Sequence, residues 1–465
     1  MTMESTGARG RQEPPVIADR ECSRCCRGAG NVARYQQGSA VYTVGVELTT
    51  ISVRAGPICH QISQYFAPFV QEDLMDVPGI RREFPALRQY KWFQNGGVSI
   101  TPTPVADVHS RHMQELLDRG PMHIVYPDEE YPRRASSIRH IAEFLKVDAT
   151  EIALTRGVSE AFHLVLAGRN WQAGDEIVIS QEEEAAVLLP VLHLQKSQGI
   201  RVVKLPLIED VDQQLQALHD CLSDRTRLVA VSHVTTDTGY RLPVREICES
   251  AREKGVDSFV DVAHSMGLGP FALRELGCDY AGILSYKWMY APYAAGMLFC
   301  RREKTSDLAV SFAGGRSEKW LDFENDTYEL HDTAERFQYG PWSWPLVHAW
   351  AAACSYLEEC GLGNIWQRTS ELTTSLKRQL GRIGGVTVET PVDPEKSAAL
   401  VAMSAEGWTG DELAETLRTR FNMIVKSQPS PRVGIRISIP FFLLHEEIDE
   451  LAGAVEELAD ERGNN

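Results

Sequence analysis

Between residues 152 and 299 short apolar runs alternate with helix-patterned spans, and this alternation constrains the fold more than any other feature of the chain. The runs are Ile152-Ala153-Leu154, Glu176-Ile177-Val178-Ile179, Arg201-Val202-Val203-Lys204, Arg227-Leu228-Val229-Ala230-Val231, Ser258-Phe259-Val260, Tyr280-Ala281-Gly282-Ile283-Leu284 and Gly296-Met297-Leu298-Phe299. Helical patterning follows the first two, from Ser159 and from about Glu184. Apolar strands separated by helical returns predict an α/β domain built on a mainly parallel, seven-stranded sheet. Ligands of such sheets gather beyond the carboxyl ends of the strands, where Thr155, Asp261 and Ser285 fall.

Flanking segments fill out the architecture. Residues 75–84 read as a short helix, 92–97 as an extended segment entering a Gly-rich turn, and 104–117 and 134–145 as helices. From about Trp344 the pattern is helical, with a mixed segment at 434–439 and a last helix from Glu446, predicting a small α+β C-terminal domain. The expected division is an extension over 1–74, a segment 75–98 packed with the small domain, a large domain over 99–340 and the small domain over 341–465.

The first 74 residues carry seven Arg, no Lys, seven Asp and Glu and four of the ten cysteines. They show no sustained period, and the reading is a disordered extension with the folded part beginning at Met75. Cys22, Cys25 and Cys26 lack a second ligand pair at metal spacing, so no metal is assigned. The other cysteines, Cys221 to Cys360, read as small core residues of a reducing, cytoplasmic compartment. A net charge of −17 argues against nucleic acid and anionic membrane as partners.

Three constellations carry chemistry. Thr155-Arg156-Gly157-Val158-Ser159-Glu160 is a strand-to-helix turn that could hold a phosphate on free amides and the Ser159 hydroxyl, or be an ordinary N-cap. Asp261 and His264 follow the strand at 258–260, where Asp261 can keep a pyridine nitrogen protonated or simply cap the loop. Lys287, in Ser285-Tyr286-Lys287-Trp288, follows an apolar strand and precedes further apolar residues, so burial would lower its pKa and favour the nucleophilic amine. An amine able to form a Schiff base and a carboxylate for a ring nitrogen are the groups that pyridoxal 5'-phosphate chemistry most needs.

Val260-Asp261-Val262-Ala263-His264, Ser285-Tyr286-Lys287-Trp288, Ser232-His233-Val234-Thr235-Thr236-Asp237-Thr238-Gly239 and Arg436-Ile437-Ser438 resemble the motifs of class V aminotransferases. That family is the pyridoxal phosphate fold-type-I branch which includes isopenicillin N epimerases and cysteine desulfurases. The resemblance implies Lys287 as the internal aldimine, Asp261 at the pyridine nitrogen and His264 at the phenolate oxygen. It implies Gly157, the Val158 amide, Ser159, Ser285 and Tyr286 around the phosphate, and Thr236 and Glu184 beside the cofactor. Arg436 would bind the substrate carboxylate through its guanidinium fork, with Asn95 and Gly97 nearby. It also implies a homodimer. Tyr339, Trp342 and Trp344 could line the subunit boundary or be core aromatics.

Three departures matter. Cysteine desulfurases carry a nucleophilic Cys some fifteen residues before the Arg matching Arg436, but no Cys follows Cys360, so a persulfide relay is not expected. Glu184, in Gln181-Glu182-Glu183-Glu184, takes the position where the family stacks a ring on the cofactor. It reads either as a second acid/base or as part of a solvated, macrodipole-favoured helix start. Pro341 follows Gly340 where the family has a Thr that reaches the neighbouring subunit's phosphate, so that contact is not carried over.

The expected activity is therefore at Cα of an amino acid, through external aldimine and quinonoid, of aminotransferase or epimerase type in specialised metabolism. The alternatives are a C–S β-lyase, a decarboxylating deaminase of a cysteine conjugate, and a non-catalytic binding protein that keeps the fold.

Overall fold

The computed structural model describes residues 75–428 and 432–463; the expectations for 1–74 lie outside these. Seven strands form the central sheet: β1 (Ile152–Thr155), β2 (Glu176–Ser180), β3 (Arg201–Leu205), β4 (Thr226–Ser232), β5 (Asp257–Asp261), β6 (Tyr280–Leu284) and β7 (Gly296–Cys300). Their spatial order is β1-β7-β6-β5-β4-β2-β3. Six run parallel; β7 alone runs antiparallel, between β1 and β6. The sheet is thus the mainly parallel one predicted. Ile177, Val178, Ile179, Val229, Ala230, Phe259 and Val260 are fully buried, which is why the middles of these strands are apolar at consecutive and not at alternate positions.

Helices close both faces. α1 (Thr103–Arg119) and α2 (Pro127–Leu145) pack on α7 (Trp344–Cys360). α3 (Val158–Ala167) and α4 (Ala185–Gln198) lie together, and α5 (Val211–Cys221) and α6 (Val244–Glu253) follow in the crossovers. α2 begins at Pro127, earlier than the 134 expected, because Pro sits at the first helical position and Asp128, Glu129 and Glu130 occupy the first turn.

In the C-terminal part a four-stranded antiparallel sheet, β8 (Val386–Val388), β9 (Leu400–Ala405), β11 (Ile435–Ser438) and β10 (Lys426–Ser427) in that order, packs with α8 (Leu362–Leu380), α9 (Gly410–Phe421) and α10 (His445–Gly463). Lys91–Trp92 pairs in parallel with Met423–Ile424, and Phe93 O accepts from Ser438 N, which ties the turn at 95–97 to β11.

Two glycines set the approach of elements at the site. A Cβ on Gly296 would lie 2.6 Å from the Gly157 backbone, so only Gly lets β7 run beside the start of α3. Gly267 has φ +87, and a Cβ there would collide with the Trp288 carbonyl; its absence lets the loop after β5 touch the loop after β6.

Candidate active site

At the carboxyl edge of the sheet lies a cavity of about 460 Å³, lined by Gly97, Arg156, Gly157, Val158, Ser159, Glu160, Glu184, Ala186, Asp261, Ala263, Leu284, Tyr286, Lys287 and Lys426. β1 ends at Thr155, the chain turns through Gly157 at φ +150, and α3 begins with no side chain capping it. Its first-turn amides are therefore open to an anion. Arg156 closes the rim by ion-pairing with Glu160, which also accepts from the Tyr339 hydroxyl.

β5 delivers Asp261, which is 3 % exposed, and one of its carboxylate oxygens accepts from the Ala263 amide at 2.8 Å. Burial raises the carboxyl to about 6, while Lys287 and that hydrogen bond oppose the rise. The loop after β6 brings Lys287 to within 3.2 Å of His264 Nε2. Burial pushes its ammonium down to about 8, against the opposing pull of Glu184 and Asp261. His264 is held neutral by burial and by Lys287. Its Nδ1 accepts from the Trp288 indole N–H at 3.4 Å. An indole can only donate, so the neutral ring carries its proton on Nε2. That N–H points at Lys287 Nζ and favours the amine lone pair.

Glu184 stands at the N-cap of α4 with its carboxylate 4.0 Å from Lys287 Nζ. Burial alone would raise it, but Lys287, the Thr236 hydroxyl at 2.8 Å, Lys426 and Arg436 more than offset this and hold it at about 2. The solvated-helix-start reading of the acidic run gives way. Glu182 and Glu183 are each 7 % exposed: Glu183 accepts from Ser180, and from Ser232 through amide and hydroxyl, and Glu182 accepts from Thr238 and pairs with Arg432.

Arg436, 2 % exposed, donates from Nη1 to the carbonyl and hydroxyl of Thr236, both at 2.7 Å. Its Nε and Nη2, the other edge of the fork, are buried with no partner. Each such orphan costs about 1–3 kcal/mol, an expense that persists where a ligand is meant to satisfy it. Thr236 thus links Arg436 to Glu184 and on to Lys287.

The remaining expected residues are also placed. Asn95 donates to Lys287 O at 3.2 Å and Gly97 and Tyr286 line the cavity. The Ser285 hydroxyl is turned to the Pro292 carbonyl and does not line the cavity. Trp342, Trp344 and Tyr339 pack against the two apolar cores. Reading the sequence missed Lys426 and Arg432. Their signal was position: both lie within ten residues of Arg436, and Lys426 pairs with it in register across β10 and β11.

Away from this site, His112, Glu130 and His348 bring buried ligand atoms within 4.8 Å of one another. Arg133 donates to His112 Nδ1 and Arg134 to Glu130, so the neutral His112 ring carries its proton on Nε2, facing the carboxylate, and leaves no lone pair for a cation there.

The groups around the cavity fit pyridoxal phosphate: an amide cradle for a phosphate, a buried carboxylate for a ring nitrogen, a neutral donor and a poised amine. The Aminotransferase class-V family model matches residues 129–451. Isopenicillin N epimerase of Streptomyces clavuligerus is 31 % identical over 337 residues, 69 % of this chain and 83 % of that protein. A probable cysteine desulfurase of Methanothermobacter thermautotrophicus is 26 % identical over 403 residues, 83 % of this chain and 98 % of its own. The fold matches that of a solved complex of the cystine C–S lyase C-DES with cysteine persulfide, at TM-score 0.74 and 24 % identity, covering 80 % of this chain and 99 % of that one. With its strand-end Asp261 and Lys287 set in a family match that spans most of the sequence, the chain belongs to the class V aminotransferase family, enzymes whose cofactor is pyridoxal phosphate.

Proposed function

We propose that this enzyme removes and returns the Cα proton of an amino acid, an epimerase-type reaction with transamination as its nearest relative. The observation that carries the reading is the pair Lys287 and Glu184, two ionisable groups sharing one cavity at 4.0 Å. When bound, pyridoxal phosphate supplies an aldehyde for the Lys287 amine and a ring that accepts the Cα electrons. The first-turn amides of α3 and Ser159 hold its phosphate, Asp261 keeps the ring nitrogen protonated and His264 donates to the ring oxygen. The unpartnered edge of Arg436 takes the substrate carboxylate and so decides which Cα bond is aligned for cleavage.

Lys287 is then the base on one side and Glu184 the acid/base on the other. Glu184 is suited to this because its low pKa depends on the Lys287 ammonium; when Lys287 is the neutral amine that serves as base, the carboxyl rises toward the range in which it can hold a proton. Glu184→Gln is expected to abolish solvent deuterium exchange from one enantiomer and spare it from the other. Equal exchange from both sinks the two-base reading. Release of ammonia with a keto acid from a cysteine conjugate would favour the C–S lyase, the fold of which this chain shares.

Capture of the cofactor has its own pH signature. Lys287 attacks as the free amine, so the rate at which cofactor-free protein forms the link should rise with pH and level off above about 8, not near 10.5 as for an ordinary lysine. Because Glu184 raises the Lys287 pKa, Glu184→Gln should shift that midpoint downward. Stopped-flow absorbance reads both; a midpoint unmoved by the substitution contradicts the coupling.

The homodimer is part of the same proposal. Met113, Leu117, Ile124 and Val125 on and after α1 are exposed apolar side chains of the kind a subunit boundary covers.

A further inference from the structure

We infer that the substrate carries a second acidic group and that Lys426 is the residue that reads it, an inference that rests on Arg436 holding the α-carboxylate as proposed above. Lys426 and Arg436 face each other across the β10–β11 pair, in direct register. Like charges placed so repel unless an anion is supplied. Burial, and then Arg436, lowers the Lys426 pKa, while the nearest negative groups, Glu184 and Asp237, only partly compensate.

Those carboxylates are committed elsewhere. Glu184 accepts from Thr236 and lies 4.0 Å from Lys287, and Asp237 pairs with Arg432. Lys426 has no hydrogen-bond or ion-pair partner among the described residues, yet it lines the cavity. Arg436 behind it is buried, with two unpartnered donors on one edge. Two partly compensated cations on adjacent strands call for two anionic groups on the ligand. A lysine ammonium, a point charge on a flexible stem, suits a distal carboxylate, sulfinate or phosphonate whose position varies, whereas the planar fork suits the fixed α-carboxylate.

The test titrates the holoenzyme with matched pairs differing only in distal charge, aspartate against asparagine and glutamate against glutamine in both enantiomers, reading dissociation constants from the change in cofactor absorption. The wild-type protein is expected to bind the acid roughly 10- to 100-fold more tightly than the amide. Lys426→Met should erase that gap by weakening the acid alone, and Lys426→Arg should restore most of it. Retained cofactor absorption and a melting temperature no lower than that of the wild-type protein in Lys426→Met establish that the variant is folded. Equal weakening of acid and amide would overturn the inference, since Lys426 would then share the α-carboxylate; so would a wild-type protein that does not distinguish them. If no amino acid perturbs the absorption of the wild-type holoenzyme, the underlying Cα reading fails as well, an outcome distinct from both.

Discussion

Replacing Lys287 by Ala is expected to leave a folded protein that carries no cofactor mass after borohydride reduction and has lost essentially all Cα proton exchange. The wild-type protein treated identically should show the added mass on a peptide containing Lys287. Two roles vanish together in this variant, the covalent anchor and the base, and loss of a positioned base alone lowers rates roughly a hundred- to ten-thousand-fold. Folding should not suffer. The Lys287 ammonium is 6 % exposed and its charged form is disfavoured by burial, so removing it relieves a desolvation cost. Opposing that relief, Glu184 and Asp261 lose their nearest cation, and both carboxyls should move upward. Cofactor mass found on another lysine of the wild-type protein, Lys426 included, would contradict the assignment.

How legible this was from sequence depended on whether a residue's role follows from its place in a strand. Asp261 and Lys287 were readable because one ends a buried strand and the other stands three residues beyond the next, and the carboxyl ends of parallel strands converge on one edge. The direction of β7 was not readable: Gly296-Met297-Leu298-Phe299 is as apolar as its neighbours, and an apolar run carries no polarity of its own. The antiparallel hairpin of Glu318–Asp322 and Thr327–Leu330 also went unread. Its Trp320, Leu321 and Tyr328, and Phe323 in its turn, are exposed, so no alternation between a core face and a wet face marks it.

The acidic run shows a different limit. Three consecutive Glu at a helix start look like solvated, dipole-favoured charge, and by composition alone that is the ordinary case. What inverts it is supplied from far along the chain: Ser232 for Glu183, Thr236 for Glu184, and Thr238 with Arg432 for Glu182. Hydroxyls at the end of β4 and on the loop after it meet carboxylates on the facing turn. The motif 232–239 was visible in the sequence, but its pairing with 182–184 is a tertiary fact that no local window contains. Arg436 is similar: its place in the motif was legible, whereas the hold of Thr236 on one edge and the vacancy of the other were not.

Asp261→Asn is expected to separate cofactor binding from chemistry. The amide oxygen of Asn can keep the hydrogen bond from the Ala263 amide, so the loop after β5 and the link at Lys287 should survive. What is lost is the negative charge that keeps the ring nitrogen protonated, and removing one such preorganised electrostatic partner lowers rates roughly a hundred- to thousand-fold. Nitrogen-15 resonance of the labelled cofactor should report a protonated ring in the wild-type protein and an unprotonated one in the variant. Stability should move the other way. The folded carboxyl, raised from 3.8 to about 6, holds its proton where the unfolded one has lost it, so the ionised group costs folding on the order of 3 kcal/mol above pH 6 and nothing below 3.8. The cofactor-free variant should therefore melt higher than the wild-type protein at pH 7, with the gap closing as pH falls from 6 toward 4. A variant that exchanges Cα protons at the wild-type rate would show that Asp261 merely caps the strand. One that melts lower at pH 7 would show that its charge is not the desolvated burden its surroundings imply.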